Sequence, residues 1–397
     1  MPEQAAAPAL PTDRPRPELR PVVGAFVIIG LFVGSWAVSI PEVERALGGG
    51  PGLLGVALTV SLGLAAVVNA GGGVLAERLG TSRAMSLTLG VFAAVAVGGS
   101  LAPAPVGLFL AVVLAFAALG PVDVVANVAA TAALADQPGR LTRVHAMFNG
   151  GAAVGAAVAG GLLFLLGAWS WRLAWAAVAV LAVALAAAVR NRVLPAGHPG
   201  EHVGFAEGIR ILRRERLLPV AVAFALGALV EGGVTTWGVL QLREQVDAGV
   251  LVGATSSMLG FTIACLVRLA SGRIATRRGA RLVLVVGTSV SAVGLLVLAL
   301  VPVTAVAAAG LVLAAGGISV SWPLLMSEIG RGRPRPGALV GALSSVGYIG
   351  LVIGPGLIGL VAGWFGLPVG ILLLALSAGA FPVVLGLHWR STARLSG

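Results

Sequence analysis

Lysine is absent from this sequence of 397 residues, and cysteine occurs only once. All 26 basic residues are therefore arginines. A chain without lysine has neither the phosphate-binding lysine of a Walker A loop nor the Schiff-base lysine of a pyridoxal enzyme, which excludes both kinds of site. The single cysteine, Cys265, lies in an apolar run, so the sequence offers no disulfide and no second thiolate for a metal site.

Charged and aromatic residues are scarce as well, at 10% and 5% of the chain, whereas 58% of the residues are hydrophobic. The mean hydropathy is +1.02. A soluble domain has about a quarter of its residues charged. This composition therefore predicts an integral membrane protein whose surplus of apolar residues contacts the lipid bilayer.

Twelve apolar runs are long enough, at about 20 residues each, to cross a bilayer as helices. The runs are continuous and do not alternate with polar residues, which favours helices over a β-barrel. We predict an all-α membrane protein with spans at 22–41, 51–76, 83–102, 105–135, 144–167, 170–189, 217–240, 248–270, 281–301, 303–327, 338–362 and 365–388.

The longest polar interruption divides the spans into two groups of six. The predicted segments are a disordered cytoplasmic tail (1–21), a first six-helix bundle (22–189), a cytoplasmic linker (190–216), a second six-helix bundle (217–388) and a cytoplasmic tail (389–397). Part of the linker, FAEGIRILRRERLL, alternates apolar and basic groups at helical spacing. This pattern favours a helix on the inner membrane surface over a solvated linker.

The arginines predict the orientation of the chain. Cytoplasmic loops of membrane proteins have an excess of basic residues. If both termini are cytoplasmic, every arginine except Arg45, Arg172 and Arg243 falls on the inner side or at an inner helix end. We therefore expect a multi-pass protein of the cytoplasmic membrane. The net charge of +11 then reflects topology, and no nucleic-acid partner is expected.

A repeat with an offset of 199 residues relates the two groups of spans. GVLAERLGTSR, from Gly73, corresponds to GRIATRRGAR, from Gly272. Paired residues at this offset are Gly73 and Gly272, Ala76 and Ala275, Arg78 and Arg277, Gly80 and Gly279, Gly151 and Gly350, Gly155 and Gly354, and Gly160 and Gly359. Duplicated helix bundles are typical of transporters that work by alternating access.

These residues resemble the major facilitator superfamily over about 22–388. GVLAERLGTSR is similar to that family's cytoplasmic motif between helices 2 and 3, with a weaker copy between helices 8 and 9. Further similarity is to the fucose-permease-related branch, especially the bacterial YbjJ-type transporters, through SWAVSIPEVERALG (35–48), VDVVANVAA (122–130), RVHAMFNGG (143–151), LVEGGVTTW (229–237), VRLASGRIATRRG (267–279) and GYIGLVIGPGLIG (347–359).

The resemblance implies a central cavity lined by helices 1, 4, 7 and 10, and a cytoplasmic gate. The gate residues would be Gly73, Glu77, Arg78, Gly80, Gly272, Arg277 and Gly279. Glu77 stands where the family usually has Asp, and the second copy has the uncharged Thr276. The Gly-Pro pair that drug antiporters have in helix 5 is found here in helix 11, as Gly354-Pro355, which disfavours drug antiport.

Two acids lie deep in the apolar runs. Asp123 in span 4 and Glu231 in span 7 are each about 12 residues from an inner helix end, or roughly 18 Å at 1.5 Å per residue, near the middle of the bilayer. Buried ionisable groups in membranes are costly and indicate function by default. The acids could hold a proton or bind a solute; the alternative is a structural acid satisfied by neighbours such as Asn127.

Other candidate residues surround these acids. His145 could relay protons, Arg268 could pair with an acid or bind an anionic solute, and Asn149 shares the helix face of His145. The alternative for His145 is packing at a helix end. The alternative for Arg268 is a side chain that extends along the helix so that its charged group reaches water. The aromatic residues Trp36, Trp237, Trp322 and Tyr348 could form walls of the cavity or pack between helices. Close helix packing is expected at Gly151, Gly155, Gly350, Gly354 and Pro355.

The sequence thus predicts a secondary active transporter, a monomer that moves a small polar or zwitterionic solute, coupled to protons through Asp123 and Glu231. The alternatives are a drug or natural-product efflux pump of the same fold and a membrane sensor or scaffold that does not transport. No enzyme activity and no cofactor are expected. The segment HPGEH (198–202) has two histidines and one glutamate but is interrupted by Pro-Gly, so no metal site is expected.

Overall fold

The computed structural model describes residues 18–103, 105–134, 137–196, 205–330 and 336–396. Within these ranges, twelve helical spans are long and apolar enough to cross a membrane. The predicted all-α architecture with twelve spans is therefore confirmed. The helices are α1 (Arg20–Leu47), α2 (Gly50–Leu79), α3 (Thr81–Leu101), α4 (Val106–Leu134), α5 (Pro138–Leu166), α6 (Trp171–Val189), α7 (Phe205–Arg214), α8 (Leu218–Gln245), α9 (Val250–Arg278), α10 (Ala280–Leu300), α11 (Thr304–Ile318), α12 (Ser321–Gly330), α13 (Pro336–Phe365) and α14 (Leu367–Ser396).

Three features of the helices differ from a simple series of spans. The tenth span is interrupted and consists of α11 and α12. The short helix α7 occupies the linker and packs through Gly208 and Leu212, with Gly208 next to Ala342 of α13. The last helix, α14, continues to Ser396 through the residues predicted as a tail. We call residues 18–196 the first half and residues 205–396 the second half.

Contacts between helix ends define the side of the bundle that contains both termini, here called the terminal side. The guanidinium of Arg192, just after the sixth span, forms an ion pair with Glu18 at 2.9 Å. The guanidinium of Arg281, at the start of α10, lies 4.5 Å from the centre of the Trp389 ring near the end of α14. Helix ends that follow an even number of spans therefore lie together, as alternating spans require.

Glycines allow two pairs of helices, α1 with α5 and α8 with α13, to approach closely. A side chain added at Gly151 would collide with the carbonyl of Val27, and one at Gly350 with the carbonyl of Ala225. The two contacts are related by the repeat, because the glycines are 199 residues apart and their partners 198. Gly155 and Gly354 approach Leu31 and Leu229 in the same way, one turn later.

Two further glycine contacts join the first half to the second. Gly160 of α5 lies against Ala254 of α9, and Gly359 of α13 lies against Gly55 of α2. The carbonyl of Pro355, one turn before Gly359, also lies next to Gly55. Gly55 and Ala254 are 199 residues apart, as are Gly160 and Gly359, so one contact is the pseudo-symmetric copy of the other. Both are far from the terminal side, near the opposite ends of their helices.

The turns after α2 and α9 have the same unusual backbone. Gly80 has φ +80 and ψ 148, and Gly279 has φ +85 and ψ 139. A positive φ is strained for residues with a side chain, so glycine is required for conformation here, since nothing crowds either position. The repeat inferred from the sequence thus corresponds to a repeated turn.

The crowding at Gly350 predicts a loss of stability in Gly350→Ala. The added methyl group would meet the Ala225 carbonyl, and such overpacking costs about 1–3 kcal/mol because helices α8 and α13 must move apart. Thermal unfolding of the purified protein in detergent measures the effect. Gly90→Ala in α3 is the control, since nothing lies near that position and alanine favours the helix. Equal melting temperatures for the two variants would contradict the close approach.

Candidate functional site

Asp123 lies on α4, half-buried, and its carboxylate is bonded on both oxygens. The amide nitrogen of Asn127, one turn later, donates to Oδ1 at 3.0 Å. The hydroxyl of Tyr348, on α13 of the second half, donates to Oδ2 at 3.3 Å. The acid therefore connects the two halves of the bundle near the middle of its helix.

His145 extends this network on α5. Its Nε2 lies 2.9 Å from Oδ1 of Asn127, so an Nε2–H tautomer donates to the amide oxygen. The imidazole packs edge-to-face against Phe26, with ring centres 5.1 Å apart. With its oxygen accepting from His145, Asn127 presents its N–H₂ group to Asp123. The residues form one chain of hydrogen bonds from His145 through Asn127 and Asp123 to Tyr348.

Glu231 on α8 forms an ion pair with Arg268 on α9. Side-chain exposure is 27% for Glu231 and 10% for Arg268, so the acid is the more accessible partner. Nε of Arg268 also donates to the carbonyl of Ser319 at 3.1 Å. That carbonyl lies in the interruption between α11 and α12, four residues before Pro323, which has no N–H to donate to it in a helix. The interruption thus provides the acceptor that orients the arginine.

The two networks lie next to each other. Cys265, one turn before Arg268, donates its thiol proton to the carbonyl of Ala146 at 3.4 Å, and Ala146 adjoins His145. The sequence pairs Asp123 and Glu231 as counterpart acids. The structure gives each its own partners, and the two acids belong to adjoining networks.

Two of the four predicted cavity aromatics lie near the polar networks. Trp322 of α12 and Tyr348 are half-buried, with ring centres 6.2 Å apart and edge-to-face. Trp36 and Trp237 are 1% and 0% exposed, and the structure corrects their prediction as cavity walls. Trp36 packs against Phe116 and Trp175 inside the first half. Trp237 lies at the contact of α8 with Gly359, where helices meet.

Asn149 is close to the network but is not bonded to it in this structure. Its side chain is 2% exposed, and its amide nitrogen has no hydrogen-bond acceptor among the described residues. It occupies the position of Tyr348 in the repeat, 199 residues earlier. The first half therefore has a buried amide at the position where the second half has the tyrosine that contacts Asp123.

The predicted gate residues lie on the terminal side. Glu77, Arg78 and Arg277 are exposed at the ends of α2 and α9. Gly73 lies in α2, while Gly272, in α9, has open space around it. Gly272 therefore makes no close helix approach in this conformation, contrary to the expectation for a gate glycine. The segment HPGEH (198–202) lies outside the described residues.

A pair of residues not singled out from the sequence joins the halves on the side opposite to the termini. Glu42, at the end of α1, forms an ion pair with Arg243, at the end of α8, and a second with Arg45 at 2.9 Å. The Glu42 side chain is 2% exposed and Arg243 is 16% exposed. The two residues are 201 positions apart, so the 199-residue repeat does not relate them, and no signal in the sequence pairs Glu42 with Arg243.

The two halves of the bundle are in contact on the side opposite to the termini, and polar groups lie near the middle of the bundle. On the side opposite to the termini, the Glu42–Arg243 ion pair and the contact of Gly55 with Gly359 hold the halves together. Near the middle, partly exposed acid, amide and aromatic groups from both halves lie close to the buried Arg268. Such an arrangement provides hydrogen-bonding groups for a solute and an acid that can be protonated between two bundles.

Comparisons with known proteins agree with this architecture. A family model described as the Major Facilitator Superfamily matches residues 22–335. An uncharacterized MFS-type transporter of Yersinia pestis is 26% identical over 348 residues, which are 85% of this chain and 87% of the relative.

Solved structures are similar at lower identity. A variant of the nucleoside transporter NupG has a TM-score of 0.72 at 15% identity, covering 93% of this chain and 98% of that one. A bacterial homolog of the human lysosomal transporter Spinster, in an inward-facing and occupied conformation, has a TM-score of 0.71 at 15% identity, covering 94% of this chain and 96% of that one. A variant of the E. coli fucose:proton symporter FucP has a TM-score of 0.62 at 15% identity, covering 92% of this chain and 97% of that one. These likenesses establish the fold, and the family model spans most of the chain. The chain belongs to the major facilitator superfamily and is a membrane transporter of a small solute, not an enzyme.

Proposed function

We propose that this transporter is coupled to protons and moves a small polar solute by alternating access, with Asp123 as the group that binds and releases the proton. The observation that supports this role is the hydrogen bond from Tyr348 of the second half to the Asp123 carboxylate of the first half. Membership of the fucose-permease-related branch is part of the same proposal, and the structurally similar FucP is a fucose:proton symporter.

The hydrogen bonds of Asp123 suggest how a proton would change the contact between halves. As a carboxylate, Asp123 accepts from both Tyr348 and Asn127. A proton on Oδ2 would replace the charge-assisted hydrogen bond from Tyr348 with a weaker bond between two neutral hydroxyl groups. Protonation would thus weaken one direct connection between α4 and α13. A bound proton can shift the equilibrium between two conformations only if it stabilises one of them more than the other.

The orientation follows from the arginines. With the terminal side in the cytoplasm, the exposed gate residues Glu77, Arg78 and Arg277 would face the cell interior, and the Glu42–Arg243 ion pair would face outward. In this proposal, the contacts around the Glu42–Arg243 ion pair close the protein to the outside. In the opposite state we expect the gate residues to approach each other and the outer ion pair to separate. A monomer contains all of these elements.

Asp123→Asn tests the coupling. The amide keeps the size of the side chain and one acceptor oxygen but has no proton to release, so we expect accumulation driven by an imposed pH gradient to fall at least about tenfold, which corresponds to 1.4 kcal/mol. Exchange of labelled for unlabelled solute across proteoliposomes without a gradient should persist. The solute is first selected by thermal-shift screening of the purified protein.

Thr131→Val is the matched control, because Thr131 lies on the same face of α4, eight residues or about two turns beyond Asp123, and is exposed. It should leave both gradient-driven accumulation and exchange unchanged. If Asp123→Asn accumulates solute as the unmodified protein does, proton coupling through Asp123 is refuted. If exchange is lost as well, the residue binds solute rather than driving its accumulation.

A further inference from the structure

We infer that the solute is uncharged at the part that contacts Glu231 and Arg268, which excludes carboxylates and zwitterions as preferred cargo. The inference rests on the proposed function, because it takes the polar groups at the middle of the bundle as the solute site. From the sequence alone, a deep arginine suits an anionic or zwitterionic solute. The structure shows what this arginine already binds, and that changes the expected chemistry.

Arg268 is not available as an anion receptor. Its Nε donates to the Ser319 carbonyl, an acceptor left without a helical donor by Pro323, and its Nη2 donates to Glu231. The charge of the guanidinium is thus compensated by a carboxylate of the protein. A carboxylate solute would have to displace Glu231 and leave that acid largely buried without a counter-ion. Separating a buried ion pair in this way is strongly unfavourable.

The acids are equally unavailable to a cationic solute. The charge of Glu231 is compensated by Arg268, and each oxygen of Asp123 already accepts a hydrogen bond, from Asn127 or Tyr348. A cation at Asp123 would compete with the proton that the proposed mechanism requires there. When Asp123 is protonated, the charged groups of the site are Arg268 and Glu231, and their charges cancel.

The remaining hydrogen-bonding groups suit neutral polar atoms. Among the described residues, Nη1 of Arg268 has no hydrogen-bond partner, and Glu231 has a second carboxylate oxygen next to the ion pair. A donor and an acceptor side by side match a hydroxyl or an amide. Trp322, one turn after Ser319, and Tyr348 provide half-buried rings for an apolar face of the solute. Trp322 and Asp123 are 199 residues apart and occupy equivalent positions in the repeat. The first half therefore has an acid at this position, and the second half has an aromatic ring.

Binding of matched pairs of compounds that differ in one charged group tests this inference. The pairs are a hexose and its hexuronate, a hexose and its amino sugar, and a nucleoside and its monophosphate. Binding to the full-length protein in detergent, without any gradient, is followed by tryptophan fluorescence and calorimetry. We expect the neutral member of each pair that binds to have a dissociation constant at least about tenfold lower than its charged partner.

Glu231→Gln provides a test by gain of binding. The glutamine keeps an acceptor for Nη2, but the charge of Arg268 is then uncompensated, so carboxylate members should gain at least about tenfold relative to their neutral partners. Glu231→Gln with Arg268→Gln is the matched control, in which neither charge is present and no gain is expected. Circular dichroism and thermal unfolding confirm that the variants are folded.

Three results would overturn the inference. The unmodified protein could bind the charged members more tightly, Glu231→Gln could leave the ratio of affinities within about twofold of its original value, or no neutral compound of any pair could bind. Failure of proton coupling would be distinguishable, because it would be seen as unchanged gradient-driven accumulation in Asp123→Asn, whereas the preference for neutral over charged compounds is measured by binding in detergent without any gradient.

Discussion

Arg268→Gln is expected to lower the free energy of unfolding by about 2 kcal/mol or more. Separating a fully buried ion pair costs about 3–5 kcal/mol, and the 27% exposure of Glu231 reduces that cost through solvent screening. The carbonyl of Ser319 would also lose the donor that replaces the missing N–H of Pro323, which adds about 1 kcal/mol or more. The melting temperature in detergent measures the total.

Two further variants separate charge from hydrogen bonding. With Glu231→Gln added to Arg268→Gln, no uncompensated acid remains, so part of the lost stability should return although the carbonyl still has no donor. Arg268→Lys keeps the charge, but one ammonium group replaces a planar fork that reaches both Ser319 and Glu231, so we expect intermediate stability. If Arg268→Gln melts at the temperature of the unmodified protein, the ion pair contributes nothing to the fold.

Much of the architecture was predictable because it depends on local sequence properties. The spans follow from the length of apolar runs, and the repeated turns at Gly80 and Gly279 follow from glycines at a fixed offset. The depth of Asp123 and Glu231 follows from the rise of a helix. These features require no knowledge of which helices are neighbours, so one sequence suffices to predict them.

The partners of the site residues were less predictable, because they depend on helix rotation and on contacts between distant parts of the chain. Asp123 and Tyr348 are 225 residues apart and belong to different halves. Trp36 was expected in the cavity but is buried against other aromatics, since a helix that is apolar all round does not reveal which face is inside. The interruption at Ser319, which orients Arg268, lies in a run that reads as one span from hydropathy alone.

Glu42→Gln is expected to open the side of the transporter opposite to the termini. The substitution leaves Arg243, which is 16% exposed, without its counter-ion whenever the halves are joined there. At a cost of about 3 kcal/mol for a broken buried pair, the ratio of closed to open molecules on that side falls about 100-fold. The helix packing within each half is unaffected, so the variant should remain folded while its conformational equilibrium changes.

A thiol introduced at the contact between halves would report this opening. Cys265 is the only cysteine, so Cys265→Ser gives a background without thiols. In that background, Thr59→Cys places a thiol where the Thr59 hydroxyl is buried against Gly356 of the other half. Glu42→Gln should raise the rate at which a membrane-impermeant maleimide labels this thiol by up to about 100-fold, as the closed population declines.

The two arginines that contact Glu42 supply the controls for this experiment. Arg243→Gln breaks the connection between halves and leaves Glu42, which is 2% exposed, with a partner only on its own helix, so labelling should rise as in Glu42→Gln. Arg45 is 54% exposed and lies on the same helix as Glu42, so Arg45→Gln should change the labelling rate little. Equal labelling in all three variants and the parent would show that the glycine contacts of α2 with α13 and of α5 with α9 keep this side closed without the ion pair. A rise in Arg45→Gln equal to that in Arg243→Gln would instead assign the effect to the total charge around Glu42 rather than to the ion pair that joins the halves.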